Sequence, residues 1–231
     1  MCGRFVLTTP ADALAAEFAA LAGGLILLPR YNIGPMQSVV VVRETDGTRE
    51  LAMLRWGLIP SWANDAAIAA RLTNARSETA AQKPFFRDAM RSRRCIVPAS
   101  GFYEWKREGK QRQPWYFHPS AASACLAIAA IWESWRSAEG ETIESCCLLT
   151  TAANRLLEPV HDRMPVLLTP AGVKRWMDAS CDNAEDLIDL LTPAAPEVLA
   201  CHPVSTAVNS VRNDEASNVE EIVVAQGSFL L

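Results

Sequence analysis

Histidine is scarce in this chain, with three in 231 residues. No C-x-x-C pair and no His/Cys cluster at zinc spacing occurs, so no metal is expected. No G-x-G-x-x-G or Walker loop follows a strand-like stretch, so no nucleotide or other organic cofactor is expected. No run of 18 uncharged apolar residues exists, and no membrane span is expected. The early apolar stretch Leu21–Pro29 lies behind Asp12 and Glu17 without a basic leader, unlike a signal peptide. Helix-turn-helix, zinc-finger and RNP motifs are missing, which argues against sequence-specific readout of nucleic acid. Internal repeats and low-complexity tracts are missing too.

What remains is a globular composition, half apolar and 21% charged. The length suits one domain, expected over residues 1–213, with a tail over 214–231. The seven cysteines are odd in number, pointing to a reducing, cytoplasmic setting. Cys95, Cys125, Cys146, Cys147, Cys181 and Cys201 read as small buried apolar side chains. Net charge is −4, but eleven Lys/Arg stand against four Asp/Glu between Arg71 and Arg112. A basic segment on an acidic body can line a groove for phosphates; the same charges also suit a solvated face.

Period-2 patterns predict strands at CGRFVL, SVVVVRE, RELAMLRW, Arg94–Val97, GFYEWKRE, QPWYFHP, CLAIAAIWESW, TIESCCLLTT, MPVLLT and CHPVS. TDGT and REGK read as hairpin turns. TTPADALAAEFAAL reads as a helix with Thr9 as N-cap, and PAGVKRWMD and DNAEDLIDLL are also helical. Strands joined by turns predict an α+β fold of mainly antiparallel sheets with flanking helices.

The opening MCGRF places a cysteine behind the initiator Met1, whose removal would leave Cys2 with a free α-amine beside its thiol. Reference pKa values of about 7.7–8.0 and about 8.5 give both groups nucleophilic fractions near neutrality. The thiol can attack a carbonyl with its own amine as base. Alternatively, the amine can condense with an aldehyde and the thiol then close a thiazolidine.

RYNIGPMQ, WGLIPSW, LTNARSET, RRCIVPASGFYEW, LTTAAN, HDRMPVLL and HPVSTAVN mix polar, aromatic, Gly and Pro residues in ways that core packing does not require. With MCGRF, and in this order, they resemble the SOS-response-associated peptidase (SRAP) family of abasic-site-processing proteins over nearly the whole chain. The resemblance implies a single SRAP-like domain with a barrel-like core. It also implies a sensor of abasic sites in single-stranded DNA, whose N-terminal Cys traps the C1′ aldehyde as a thiazolidine crosslink. By motif, the active-site residues match Cys2, Asn74, Glu104 and His161, and the phosphate contacts match Arg4, Arg76 and Arg163. Where some members carry a further basic residue, this chain reads AAQKPFF, so Lys83 or Arg87 stands in.

Those residue types suit the chemistry. A carboxyl with a raised pKa shuttles protons, and Glu104 lies between Tyr103 and Trp105. His161 can protonate the sugar ring oxygen, and Asn74 can hold the aminothiol and a substrate hydroxyl in register. Trp62 is placed either on a base or in the core, and Trp56 in the core. The expected partner is single-stranded DNA, bound by a monomer that joins the nucleoid when on DNA. A lyase side activity follows from an imine intermediate. The alternative is an N-terminal-nucleophile peptidase or amidohydrolase, acting on as little as its own Met1.

Overall fold

A computed structural model describes residues 2–109, 111–121, 125–181 and 183–223, apart from the side chains of Glu108 and Gln111. Among the described residues, twelve strands run in chain order: β1 (Phe5–Leu7), β2 (Arg30–Ile33), β3 (Ser38–Thr45), β4 (Thr48–Trp56), β5 (Asn74–Arg76), β6 (Arg94–Ala99), β7 (Gly101–Glu108), β8 (Gln111–Pro119), β9 (Leu126–Arg136), β10 (Thr142–Ala152), β11 (Arg163–Pro165) and β12 (Leu199–Pro203). The α-helices are α1 (Ala11–Phe18), α2 (Ser77–Ala80), α3 (Arg87–Ser92) and α4 (Pro170–Trp176).

Strands β10, β4, β3, β6 and β9 form a closed ring, because β9 pairs back onto β10. Closure leaves these strands no free edge and buries the apolar face of each. Val39–Val42, Ile96, Val97, Ala129–Ile131 and Cys146–Leu149 are all buried in its core. The β3–β4 turn sets Asp46 at φ 51° and Gly47 at φ 73°, the two left-handed residues that a tight hairpin needs. A second sheet, ordered β12-β8-β7-β1-β2, carries the N-terminal strand in its interior.

The α+β class and the mostly antiparallel ladders agree with the sequence pattern. One difference is that β10 runs parallel to β4 and to β5. Turn signals report only neighbours in sequence, and these strands meet across long connections. Pro10, not Thr9, holds the N-cap of α1, through Leu14 N–H to Pro10 O, while Thr9 turns its hydroxyl to Ser100. Ala184–Leu190, expected to be helical, winds as a 3₁₀ helix. Cys95, Cys146 and Cys147 are buried as expected, but Cys125, Cys181 and Cys201 are only half-buried. Trp56 is in the core, its indole N–H donating to Thr73 O at 2.8 Å.

Residues 214–221 are held to the body of the domain. Asp214 accepts from Arg30 and from the N–H groups of Tyr31 and Asn32, Asn218 is buried, and Glu221 bridges to Val204. Residues 224–231 of the expected tail, Met1, and Lys110 of the expected REGK turn lie outside the described residues.

Candidate active site

Cys2 stands at the mouth of β1, where Tyr103 N–H donates to Arg4 O at 3.0 Å and Phe5 faces Phe102. Continued by period 2, this ladder sets Glu104 across from Gly3. Phe102 and Glu104 share one face of β7, and Phe102 stacks on Phe117 at 5.3 Å. That face turns inward, so Glu104 is only 2% exposed. Burial pushes its carboxyl up to about 7, and the charge of Asp162 adds to the rise. Cys2 is fully buried, and burial, then the charge of Glu104, pushes its thiol well above the ordinary range.

Asn74 arrives from the opposite side on β5, held in register by Leu148 of β10. Its Nδ2 donates to Cys2 O at 3.0 Å and to Thr73 Oγ1 at 3.3 Å. Its Oδ1 is buried with no hydrogen-bond partner among the described residues, a lone acceptor beside Cys2. His161 closes the turn before β11. Its Nδ1 accepts from Arg163 N–H at 2.9 Å, which places the proton of the neutral ring on Nε2. Burial holds the imidazole below its usual pKa, although the Asp162 carboxylate, 3.1 Å from Nδ1, pulls the other way. The neutral form agrees with Nδ1 as an acceptor. The four residues expected to be catalytic therefore lie at one locus: Asn74 bonds to Cys2, Glu104 acts on its thiol, and Asp162 acts on both Glu104 and His161.

The expected phosphate contacts divide into engaged and free. Arg4 donates to Asn32 Oδ1, Val208 O and Asn209 O at 2.7, 2.8 and 3.3 Å, and lies over the Trp105 ring. With Trp105, Arg112, Asn209 and Gly3, the residue that follows Cys2, it lines a 430 Å³ pocket. Arg163 is paired with Glu78. Arg76 is exposed at the start of α2, and Lys83 and Arg87 are exposed nearby, Arg87 being 3.4 Å from Asp88. Trp62 is 53% exposed and packs on Phe85 at 5.5 Å, which settles its placement at the surface.

The basic segment is not uniformly a surface. Arg93 pairs with Glu133 at 2.6 Å. Arg94, 7% exposed, donates to the carbonyls of Met90, Arg91, Trp176, Asp178 and Cys181. Sequence reasoning passed over Glu78, Asp162 and Arg112. Arg112 was legible in principle, since the hairpin register sets it opposite Arg107, three residues past Glu104. Asp162 sits inside the HDR motif itself.

A separate pocket of 470 Å³, lined by Ser100, Tyr116, His118 and His202 among others, contains none of these residues. Among the described residues no three His, Cys, Asp or Glu side chains converge to hold a metal ion.

A family model described as SOS response associated peptidase (SRAP) matches residues 1–211. Abasic site processing protein YoqW of Bacillus subtilis (strain 168) is 37% identical over 224 residues, 95% of this chain and 99% of that protein. YedK of Escherichia coli (strain K12), described likewise, is 32% identical over 96% of this chain and 100% of its own length. A crystal structure of a Bacteroides thetaiotaomicron protein superposes with a TM-score of 0.87 at 26% identity, covering 96% of this chain and 100% of that one.

Proposed function

The chain belongs to the SOS response associated peptidase family, and from that premise we propose that it processes abasic sites in single-stranded DNA by covalent capture at Cys2 once Met1 is removed. The observation that carries this reading is the grip of Asn74 on the Cys2 carbonyl, with its Oδ1 buried and unpartnered among the described residues.

An abasic deoxyribose is mostly a closed hemiacetal. Proton transfer to the ring oxygen, with His161 Nε2–H or protonated Glu104 as the donor, breaks the C1′–O4′ bond while the C1′ hydroxyl gives its proton to water, leaving the C1′ aldehyde. The Cys2 amine adds to C1′ and gives a carbinolamine. Glu104, poised near pKa 7, protonates its hydroxyl, and water leaves as the imine forms. The thiol then adds to the imine carbon and its proton passes to the ring nitrogen, closing a thiazolidine. Overall, aldehyde and aminothiol give thiazolidine and one water. At the imine stage, loss of a C2′ proton expels the 3′ phosphate, which is the lyase side reaction.

The order of nucleophiles suits the electrostatics. A thiol pushed up by burial is a poor thiolate at neutral pH, which disfavours thiol-first attack on an amide and suits an amine-first path with the thiol second. Arg76, Arg4 and Arg163 grip the backbone with support from Lys83 and Arg87, while Trp62 offers a stacking face.

The test is incubation of Met1-free protein, verified by intact mass, with a single-stranded oligonucleotide bearing one abasic site. A heat-stable adduct weighing the sum of both less one water is expected. Cys2→Ala abolishes it, and Cys2→Ser loses the thiazolidine while keeping amine-dependent cleavage. No shifted band with the processed protein refutes the proposal.

A further inference from the structure

Glu78 lies in the same short segment as Asn74 and Arg76, on α2, with its side chain 49% exposed. Its two carboxylate oxygens take Arg163 Nη1 and Nη2 at 2.5 and 2.9 Å, a fork-on-fork pair. The other edge of the guanidinium is closed to a ligand as well. Arg163 Nη2 donates to Thr150 O at 2.6 Å, and Nε is buried with no partner among the described residues. One Nη1 hydrogen is left over. A phosphodiester therefore cannot meet Arg163 with two parallel hydrogen bonds while Glu78 stays in place.

The occupant is itself an anion. The Arg163 guanidinium holds the Glu78 carboxyl below its usual range, so it is ionised at neutral pH. A phosphate arriving at Arg163 must displace a carboxylate or accept a single bond beside a like charge. Exposed Arg76, two residues before Glu78, has no such competitor among the salt bridges of the described residues.

We propose that Glu78 is a specificity-determining residue. By occupying the bidentate edge of Arg163, it keeps non-covalent affinity for intact single strands low, so that retention of DNA depends on the aldehyde reaching Cys2. This rests on the reading of Arg163 as a phosphate contact in the proposed function. Strands without a lesion exchange quickly, and strands with one are held by the covalent bond. Glu78 acts through Arg163 and touches no reacting atom.

The experiment measures binding of an undamaged single-stranded oligonucleotide by anisotropy, at salt from roughly 50 to 200 mM. Wild type, Glu78→Gln, Glu78→Ala, Arg163→Gln and the double variant Glu78→Gln/Arg163→Gln are compared, with melting curves to verify folding. Both Glu78 variants are expected to bind about 3- to 10-fold more tightly at the lowest salt. Their log–log salt slope should steepen by roughly 0.7, the contribution of one added single-strand phosphate contact. Their preference for abasic over intact strands should fall. The double variant should lose the gain, since it needs the released guanidinium.

Unchanged or weaker binding by folded Glu78 variants overturns the inference, as does a gain that survives removal of Arg163. If wild type binds and crosslinks normally in those cases, the proposed function stands. If no variant binds or crosslinks DNA, both fall together.

Discussion

Glu104 is the side chain in which fold and chemistry conflict most directly. In an unfolded chain its carboxyl ionises near 4.5, whereas inside the protein it does so at about 7. The folded state thus holds its proton longer, and stability is full below about 4.5 and lost as pH rises through about 7. The loss is on the order of 3 kcal/mol, from 1.36 kcal/mol per pKa unit. Glu104→Gln should therefore match the parent in urea melts near pH 4 and exceed it near pH 8, while capturing abasic DNA far more slowly. A variant destabilised at pH 8 would contradict the buried, ionising carboxyl. Capture by the wild type should fall as Glu104 loses its proton above about 7, and rise from the acid side as the amine, near pKa 7.7–8.0 in the reference state, becomes free. Asn74→Ala releases the Cys2 carbonyl, and single-turnover adduct formation should slow by roughly 100-fold with little change in melting temperature.

At the level of elements, the site is a meeting of two sheets. Strand β1 brings Cys2 and β7 brings Glu104 from the five-stranded sheet, whereas β5 and the turn before β11 bring Asn74 and His161 from the ladder of β10. In the five-stranded sheet, Gly101 leaves room for the Tyr116 side chain. A Cβ there would come within 2.5 Å of the Tyr116 ring, whose hydroxyl donates to Ser100 O. Gly101→Ala should cost about 1–3 kcal/mol in chemical melts and shift the Tyr116 environment. Equal stability would mean that Tyr116 swings away freely.

For the molecule as a whole, charge is sorted by burial. The Arg71–Arg112 segment sends Arg94 into the interior to bind five carbonyls and leaves Arg76, Lys83, Arg87 and Arg112 at the surface. Arg94→Met should lower stability by roughly 2–4 kcal/mol through stranded carbonyls, yet leave the salt slope of DNA binding unchanged. Affinity for undamaged single strands should fall as salt rises from about 50 to 200 mM, and a flat response would rule out a positive groove.

The sequence by itself determined the strand alternation, the Asp-Gly hairpin and the motif string that marks Cys2, Asn74, Glu104 and His161. These signals are local: a period of two, a backbone that tolerates positive φ, or a few consecutive residues. Only the tertiary structure decided that β10 runs parallel to β4, that Glu104 is buried, that Trp62 lies at the surface, and which arginines already hold partners within the protein. Those outcomes depend on partners far along the chain, as Arg4 with Asn209 and Arg163 with Glu78 show. A residue's spacing says which face it takes; which side chain meets it there is settled only when the barrel closes and the sheets pack.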